Sequence, residues 1–538
     1  MRTALHCLAT ALLAALPLQA AASAAPDAPD AQTRLRDQGF NHSQVMNTAE
    51  WLSDEIGSRL TGSPGMRRAE AWTLQQYRQW GLHNVHREGF VFGRGWEMEH
   101  VAVRMLAPRV LALHAVPVAW SPSTPGPVRA PIVVAPIRST ADFAAWRGKL
   151  RGTMVLADLP GTGSEPDQAP FQRFSSAQIA AMDHYDPPQH APSVLPPWLK
   201  HARLQQRIDQ FLKDEGAVAR VQQSYSDGGL LHGEGTHYQQ GGPLPAVELA
   251  AEDYRRLARL AKNGEVVLEI DSQTRFLDQD ATAYNIIAEI PGTDRSAGYV
   301  LAGAHLDSWA AADGAADNAA GCAMVMEAAR MLAVIGIRPR RTIRFALWSG
   351  EEQGLLGSKA YVATHLASRP PAPPGTTGLE DYYAITRRFP VAPLADYARL
   401  AAYFNLDNGS GRIRGIHAQG NLSAVPALEQ LIAPFRALGV ERVVAGDVDS
   451  TDHELFAAVG LPAFQFVQDP LDYDTRVHHS SIDTYDHLKA DDMRQGAVVL
   501  AGILLEVANR RDPLPRQALP SAPAPSDPFT YDTPDDLR

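Results

Sequence analysis

From Tyr284 to Ala508 short apolar runs alternate with longer segments of helical periodicity, and few folds accept that alternation. The runs Tyr284–Ile290, Gly298–Ala304, Thr342–Trp348, Leu400–Leu406 and Pro462–Val467 have the length and apolar continuity of buried strands. Ala320–Ala333, Ala424–Leu438 and Asp491–Ala508 carry apolar residues at helical spacing. Strands interleaved with helices predict an α/β fold, a mixed, mostly parallel sheet flanked by helices on both faces. In open sheets of this kind functional groups collect beyond the carboxyl ends of the strands, so the polar residues just past each run are the first candidates for a site.

Those positions hold imidazoles and carboxylates. The second run is followed by His305-Leu306-Asp307, the third by Ser349-Gly350-Glu351-Glu352, the fourth by Asp407-Asn408-Gly409, and the last leads toward His478-His479-Ser480-Ser481-Ile482-Asp483. An acidic, small-residue loop, Asp313-Gly314-Ala315-Ala316-Asp317-Asn318, precedes the first of the three helices. One histidine past one strand says little, but their joint arrival at one sheet edge points to a metal. Mixed imidazole and carboxylate donors suit zinc, and with only Cys7 and Cys322 in the chain no thiolate site can form. Two zinc ions also balance three ligating carboxylates plus a bridging hydroxide, whereas one zinc would be over-neutralised and a poor Lewis acid.

The rest of the chain sets the context. Its 538 residues exceed what one core organises, so two globular units with tails are expected. Arg2, the apolar run Ala9–Leu18 and the small residues Ala20–Ala25 follow the plan of a secretory signal peptide over residues 1–25, which predicts export to a periplasmic or secreted location. No later stretch has the length of a membrane span. A net charge of −11, spread without a basic stripe, argues against nucleic-acid binding. Ser43–Leu82 reads as two helices broken at Gly62-Ser63-Pro64-Gly65, completing with the extended stretches after it the N-terminal part of a catalytic domain over 26–120. Residues 121–274 are rich in Pro and Gly turns between short strands and read as an inserted domain; 275–511 form the metal-binding part, and the Pro- and Asp-rich 512–538 reads as a disordered tail. Cys322, in Ala320-Gly321-Cys322-Ala323, reads as a small packing residue at a helix start.

At this point the residues resemble a known family, the co-catalytic zinc aminopeptidases and plasma glutamate carboxypeptidase-like enzymes. The resemblance rests on His305-Leu306-Asp307-Ser308, Asp317-Asn318-Ala319-Ala320-Gly321, Trp348-Ser349-Gly350-Glu351-Glu352-Gln353-Gly354-Leu355-Leu356-Gly357-Ser358, Asp407, and His479 four residues before Asp483. It extends upstream to Ile56–Gly65 and Trp80-Gly81-Leu82. The resemblance implies two zinc ions bridged by Asp317, one also held by His305 and Asp407, the other by Glu352 and His479. It implies that Glu351 is the general base toward the water between the ions, and that Asp307 orients the His305 imidazole. Asp313 competes with Asp317, and His478 with His479, for the same roles; His478 also stands where some relatives stabilise an oxyanion. Asp449-Ser450-Thr451-Asp452-His453 looks like a loop beside the substrate, or equally a helix N-cap.

Trp146–Asp158 and Pro243–Leu249 resemble a protease-associated domain, which roofs such sites and restricts them to short peptides. Pro187–Gln240 departs from a compact version and reads as a lid, a dimer contact or plain elaboration; relatives often form homodimers. The resulting expectation is an exopeptidase acting on short peptides, as an aminopeptidase or a dipeptidase-like carboxypeptidase. A single-zinc glutaminyl cyclase and a non-catalytic binding protein on the same fold are the competing readings.

Overall fold

The computed structural model describes residues 30–164, 168–185, 197–374, 376 and 378–523. The proposed signal peptide lies outside them, as do the last residues of the tail. An eight-stranded sheet runs in the order His83–Val91, Thr282–Ile290, Thr342–Trp348, Tyr299–His305, Leu400–Asn405, Ala463–Gln468, Ile413–His417, Arg442–Val444. Its central four strands are parallel, and antiparallel pairs occur toward both sides. The parallel strands are covered on both faces, which is why Tyr299–His305 and Leu400–Asn405 are buried at every residue and read as unbroken apolar runs.

Alternation along Tyr299–His305 sends Val300, Ala302 and Ala304 into one core and Tyr299 and Leu301 into the other. The first core packs against Ala320–Val334 and Ala490–Asn509. Ala320–Val334 is apolar nearly all round, as a helix enclosed by others must be. The opposite core is aromatic, with Trp348, Tyr361, Tyr403 and Phe456 in edge and tilted contact. Gly303 lets that cluster press onto the sheet: a Cβ there would stand 2.7 Å from both Trp348 Nε1 and Tyr403 Oη. Since those two atoms hydrogen-bond each other at 2.7 Å, neither can yield cheaply. Gly303→Ala is expected to cost about 1–3 kcal/mol, read as a lowered Tm with unchanged circular dichroism in the folded baseline.

A second eight-stranded sheet has the order Leu111–Leu113, Gly95–Ala107, Val267–Leu277, Val128–Val134, Met154–Leu156, Ala219–Gln223, Ala246–Leu249, Ala115–Pro117. The chain enters it from His83–Val91 and leaves it into Thr282–Ile290, two strands that are neighbours in the first sheet. Arg94 and Asp278, one on each crossing, form a two-pronged ion pair at 2.6 and 2.7 Å. The sequence places the change of character at residue 121, yet Gly95–Ala107 already pairs along its length with Val267–Leu277. Composition marked the first Pro-rich turn, whereas the pairing begins with the preceding long strands, whose apolar pattern does not distinguish one sheet from the other. This second unit also holds the helix Pro197–Asp214.

The tail differs from its expectation at its beginning. Leu514 is buried and its amide donates to the Ala401 carbonyl at 3.2 Å, while Arg516 donates to the carbonyls of Tyr397 and Leu400. One apolar and one five-donor side chain fasten a segment whose composition alone reads as disordered.

Candidate active site

The carboxyl edge of the parallel strands brings the sequence candidates together. His305 ends its strand, and its Nδ1 lies 3.0 Å from the Asp307 carbonyl oxygen, which leaves Nε2 facing Asp407 Oδ1 at 3.0 Å and Asp317 Oδ1 at 3.2 Å. Asp317 Oδ2 is 3.4 Å from His479 Nε2, which in turn is 3.0 Å from Glu352 Oε2. His305, Glu351 and Asp407 offer donor atoms within 4.8 Å of one another, as do His305, Asp317 and Glu352, and likewise Asp317, His478 and His479. Asp317 thus stands in two of these groups. Asp313 stands in none among the described residues, and its backbone carbonyl accepts from Arg59 instead. His478 reaches Asp317 only at 3.8 Å, and its side chain is 47 % exposed against 22 % for His479. Asp449 and Thr451 line the cleft, so part of that loop does lie beside the site.

Each group is held by local structure that the sequence only hinted at. The Asp317 backbone is fixed by the Asp483 carboxylate, which accepts from the amides of Ala316 (2.6 Å) and Asp317 (3.0 Å), and the Asp317–Asn318 peptide is cis. Asn318 bridges onward, donating to the Leu406 carbonyl at 2.8 Å and capping the following helix through Gly321 N. The Glu351-Glu352 turn is pinned by Asn285, which accepts from Ser349 N and donates to Gly357 O. Asp307 acts on both neighbours: its carbonyl faces the imidazole, while its carboxylate accepts from Thr61 Oγ1 at 3.0 Å and from the amides of Glu351 and Glu352 at 3.3 and 3.4 Å. Its carboxylate is 3.8 Å from His305 Nδ1, so the orienting contact to the imidazole is the carbonyl's.

Three contributors escaped sequence reasoning. Arg59, fully buried, donates to the carbonyls of Leu52, Gly57, Leu306, Asp313 and Gly314 and so ties the Asp317 loop to the strand end. Thr61 links Asp307 to Gly350 N. Glu234, from the second sheet's unit, lies with Oε1 at 2.9 Å from His479 Nδ1. Arg59 and Thr61 fall inside the Ile56–Gly65 motif, which was the available signal; Glu234 had none. Cys322 is buried and donates to the His305 carbonyl, with burial pushing its thiol up to about 12, so it packs and stays protonated.

The electrostatics are those of a carboxylate cluster awaiting a cation. Burial would raise Asp317, but the imidazoles of His305, His479 and His478 hold it well below the usual carboxylate range. Burial pushes Glu351 well up, Glu352 to about 7 and Asp452 to about 8. For Glu234 burial acts upward too, yet His479 and Tyr225 hold it down to about 2. Asp317 Oδ2 and Glu352 Oε1 are buried and meet no hydrogen-bond donor among the described residues, which a metal ion would answer, so the donor set fits zinc. In chelator-treated protein Glu352 and Asp452 bind protons more tightly folded than unfolded. Stability should therefore fall as pH rises from about 5 through about 7 and 8, and added zinc should remove most of that slope. Chemical denaturation at three pH values checks it.

The site opens into a cleft of about 1870 Å³ lined by residues of both units, among them Arg207, His237 and Glu234 from one and Asp407 and Glu352 from the other. A buried imidazole and carboxylate cluster at the carboxyl edge of a parallel sheet, below such a cleft, is the centre of a zinc metallopeptidase. Residues 285–503 match peptidase family M28, in keeping with a zinc metallopeptidase. Carboxypeptidase Q of Mus musculus is 26% identical over 470 residues, covering 86% of this chain and 86% of that protein. Leupeptin-inactivating enzyme 1 of Streptomyces exfoliatus is 31% identical over 189 residues, 35% of this chain and 36% of that one. Among solved structures, a peptidase M28 precursor from Shewanella amazonensis SB2B shares the fold with a TM-score of 0.64 at 24% identity, covering 91% of this chain and 98% of that chain. BSAP, a zinc aminopeptidase from Bacillus subtilis, does so with a TM-score of 0.55 at 18% identity, covering 87% of this chain and 95% of that chain. No helix among the described residues is long and apolar enough to cross a membrane.

Proposed function

We propose that this zinc metallopeptidase carries two zinc ions and removes terminal residues from short peptides, with Asp317 shared between the ions. The observation that carries this reading is the position of Asp317, whose two oxygens face His305 on one side and His479 on the other. His305 and Asp407 would complete one ion's set, Glu352 and His479 the other's. Zinc bound there supplies Lewis acidity that polarises a scissile carbonyl and makes hydroxide available near neutral pH. Glu351 would take the proton from the attacking water on its carboxylate and hand it to the leaving amine. Its burial favours holding that proton between the two transfers. Asp307 would keep His305 oriented with Nε2 toward the ions through its carbonyl. His478, half-exposed at the cleft wall, would be placed to donate to the developing oxyanion.

The second sheet would act as a roof of the protease-associated kind, spanning residues 95–277 rather than starting at 121. A cleft closed on one side by a separate unit favours short peptides over folded proteins. Carboxypeptidase Q and the aminopeptidases attack opposite ends by their names, and both remain compatible with a dipeptide-sized substrate. Residues 1–25 would direct export. The reading is tested by metal analysis of active protein together with mass-spectrometric cleavage profiling of a mixed peptide library. Close to two zinc ions per chain with stepwise loss of terminal residues is expected. About one zinc per chain with loss of water from N-terminal glutamine would overturn it in favour of a cyclase.

A further inference from the structure

We propose that Glu234 is a positioning residue of the metal centre, supplied by the second sheet's unit, which fixes His479 with its proton on Nδ1 and its Nε2 lone pair toward Asp317 and Glu352. The inference rests on His479 as a zinc ligand and adds a requirement that the family motifs do not contain. A neutral imidazole carries one N–H; if that hydrogen goes from Nδ1 to Glu234 Oε1, 2.9 Å away, only Nε2 is left to bind metal. His305 is oriented differently, by the Asp307 carbonyl two residues on in its own loop. His479 instead meets an acceptor that lies 245 positions earlier in the chain.

The Glu234 side chain is itself held. Tyr225 Oη donates to the same Oε1 at 2.9 Å. The backbone leading to it is anchored by Glu248, whose carboxylate accepts from the amides of His232 (2.8 Å) and Gly233 (3.2 Å). The two loops are also zipped directly: Ser481 N donates to the Leu231 carbonyl at 2.7 Å, and Leu231 N donates to Ser481 Oγ at 3.2 Å. This brace acts on a residue that needs one, because His479 has a φ of 57°, in the left-handed region that residues with a Cβ seldom occupy. The roof therefore does more than narrow access; one of its side chains belongs to the coordination apparatus.

The test compares wild type, Glu234→Ala and Glu234→Gln by competition for zinc against a chromophoric chelator, alongside kcat, KM and the Tm of the zinc-free chains. Glu234→Ala should weaken zinc binding at one site by about 10–100-fold. Glu234→Gln, whose amide oxygen still accepts from Nδ1, should recover most of that loss. At saturating zinc, KM should match wild type. Unchanged zinc affinity with a raised KM would make Glu234 a substrate contact, and unchanged affinity with a lowered Tm would make it a plain brace; either result overturns the proposal. Wild-type protein that binds no zinc removes the site reading and this inference together, whereas zinc-binding wild type with an indifferent Glu234→Ala removes this inference alone. Should Glu234→Ala fail to fold, nitrogen-15 spectra of histidine-labelled, zinc-loaded wild type decide the matter. A His479 proton on Nδ1 supports the proposal, and one on Nε2 refutes it.

Discussion

Glu351→Gln is expected to lower turnover of a dipeptide by about 10²–10⁴-fold while the chain keeps its full zinc content. The substitution preserves shape and replaces a proton acceptor with an amide that cannot shuttle protons. Glu351 offers an oxygen within 4.8 Å of the donors of His305 and Asp407, close enough to serve a water between substrate and site. Its carboxylate is partly withdrawn from solvent, and the His305 imidazole only partly offsets the resulting preference for the protonated form. That balance suits a group that must accept a proton and release it in one cycle. Steady-state kinetics and metal analysis of the same preparation check the prediction. Residual turnover within tenfold of wild type would remove Glu351 from the proton path, and loss of zinc would reassign it as a ligand.

Asp317→Ala should be more drastic, because one residue serves two groups of donors. Loss of an outer partner costs metal affinity about 10–100-fold, and loss of a shared ligand should exceed that at both ions. Asp407→Ala, which touches only the His305 side, should retain one zinc. The contrast between the two variants in zinc per chain is the informative quantity. Equal loss from both would argue against Asp317 as the bridge.

Much of this architecture could be read before any coordinates. His305 and Asp407 declare themselves by following fully buried parallel strands, and the strand pattern itself is a direct image of two-sided burial. Glu352 and Asp317 follow from short local motifs. What stayed hidden depends on pairing between distant segments. Glu234 meets His479 only because the second sheet folds back over the first, and no periodicity near Glu234 encodes that return. The carbonyl of Asp307, rather than its carboxylate, faces His305, and a backbone atom leaves no mark in a motif. The pairing of Gly95–Ala107 with Val267–Leu277 stayed hidden for a similar reason: a long strand looks alike whichever sheet receives it.

Arg59 gives the floor of the cleft a property that outlasts any ion. Its guanidinium is satisfied entirely by neutral carbonyls, so its charge is not cancelled by a contacting carboxylate and instead acts at range on Asp483, Asp307 and Asp317. The molecule thereby carries a permanent resident cation beneath a pit of acids. Part of the repulsion among those acids is therefore offset from within the chain, whether or not metal is bound.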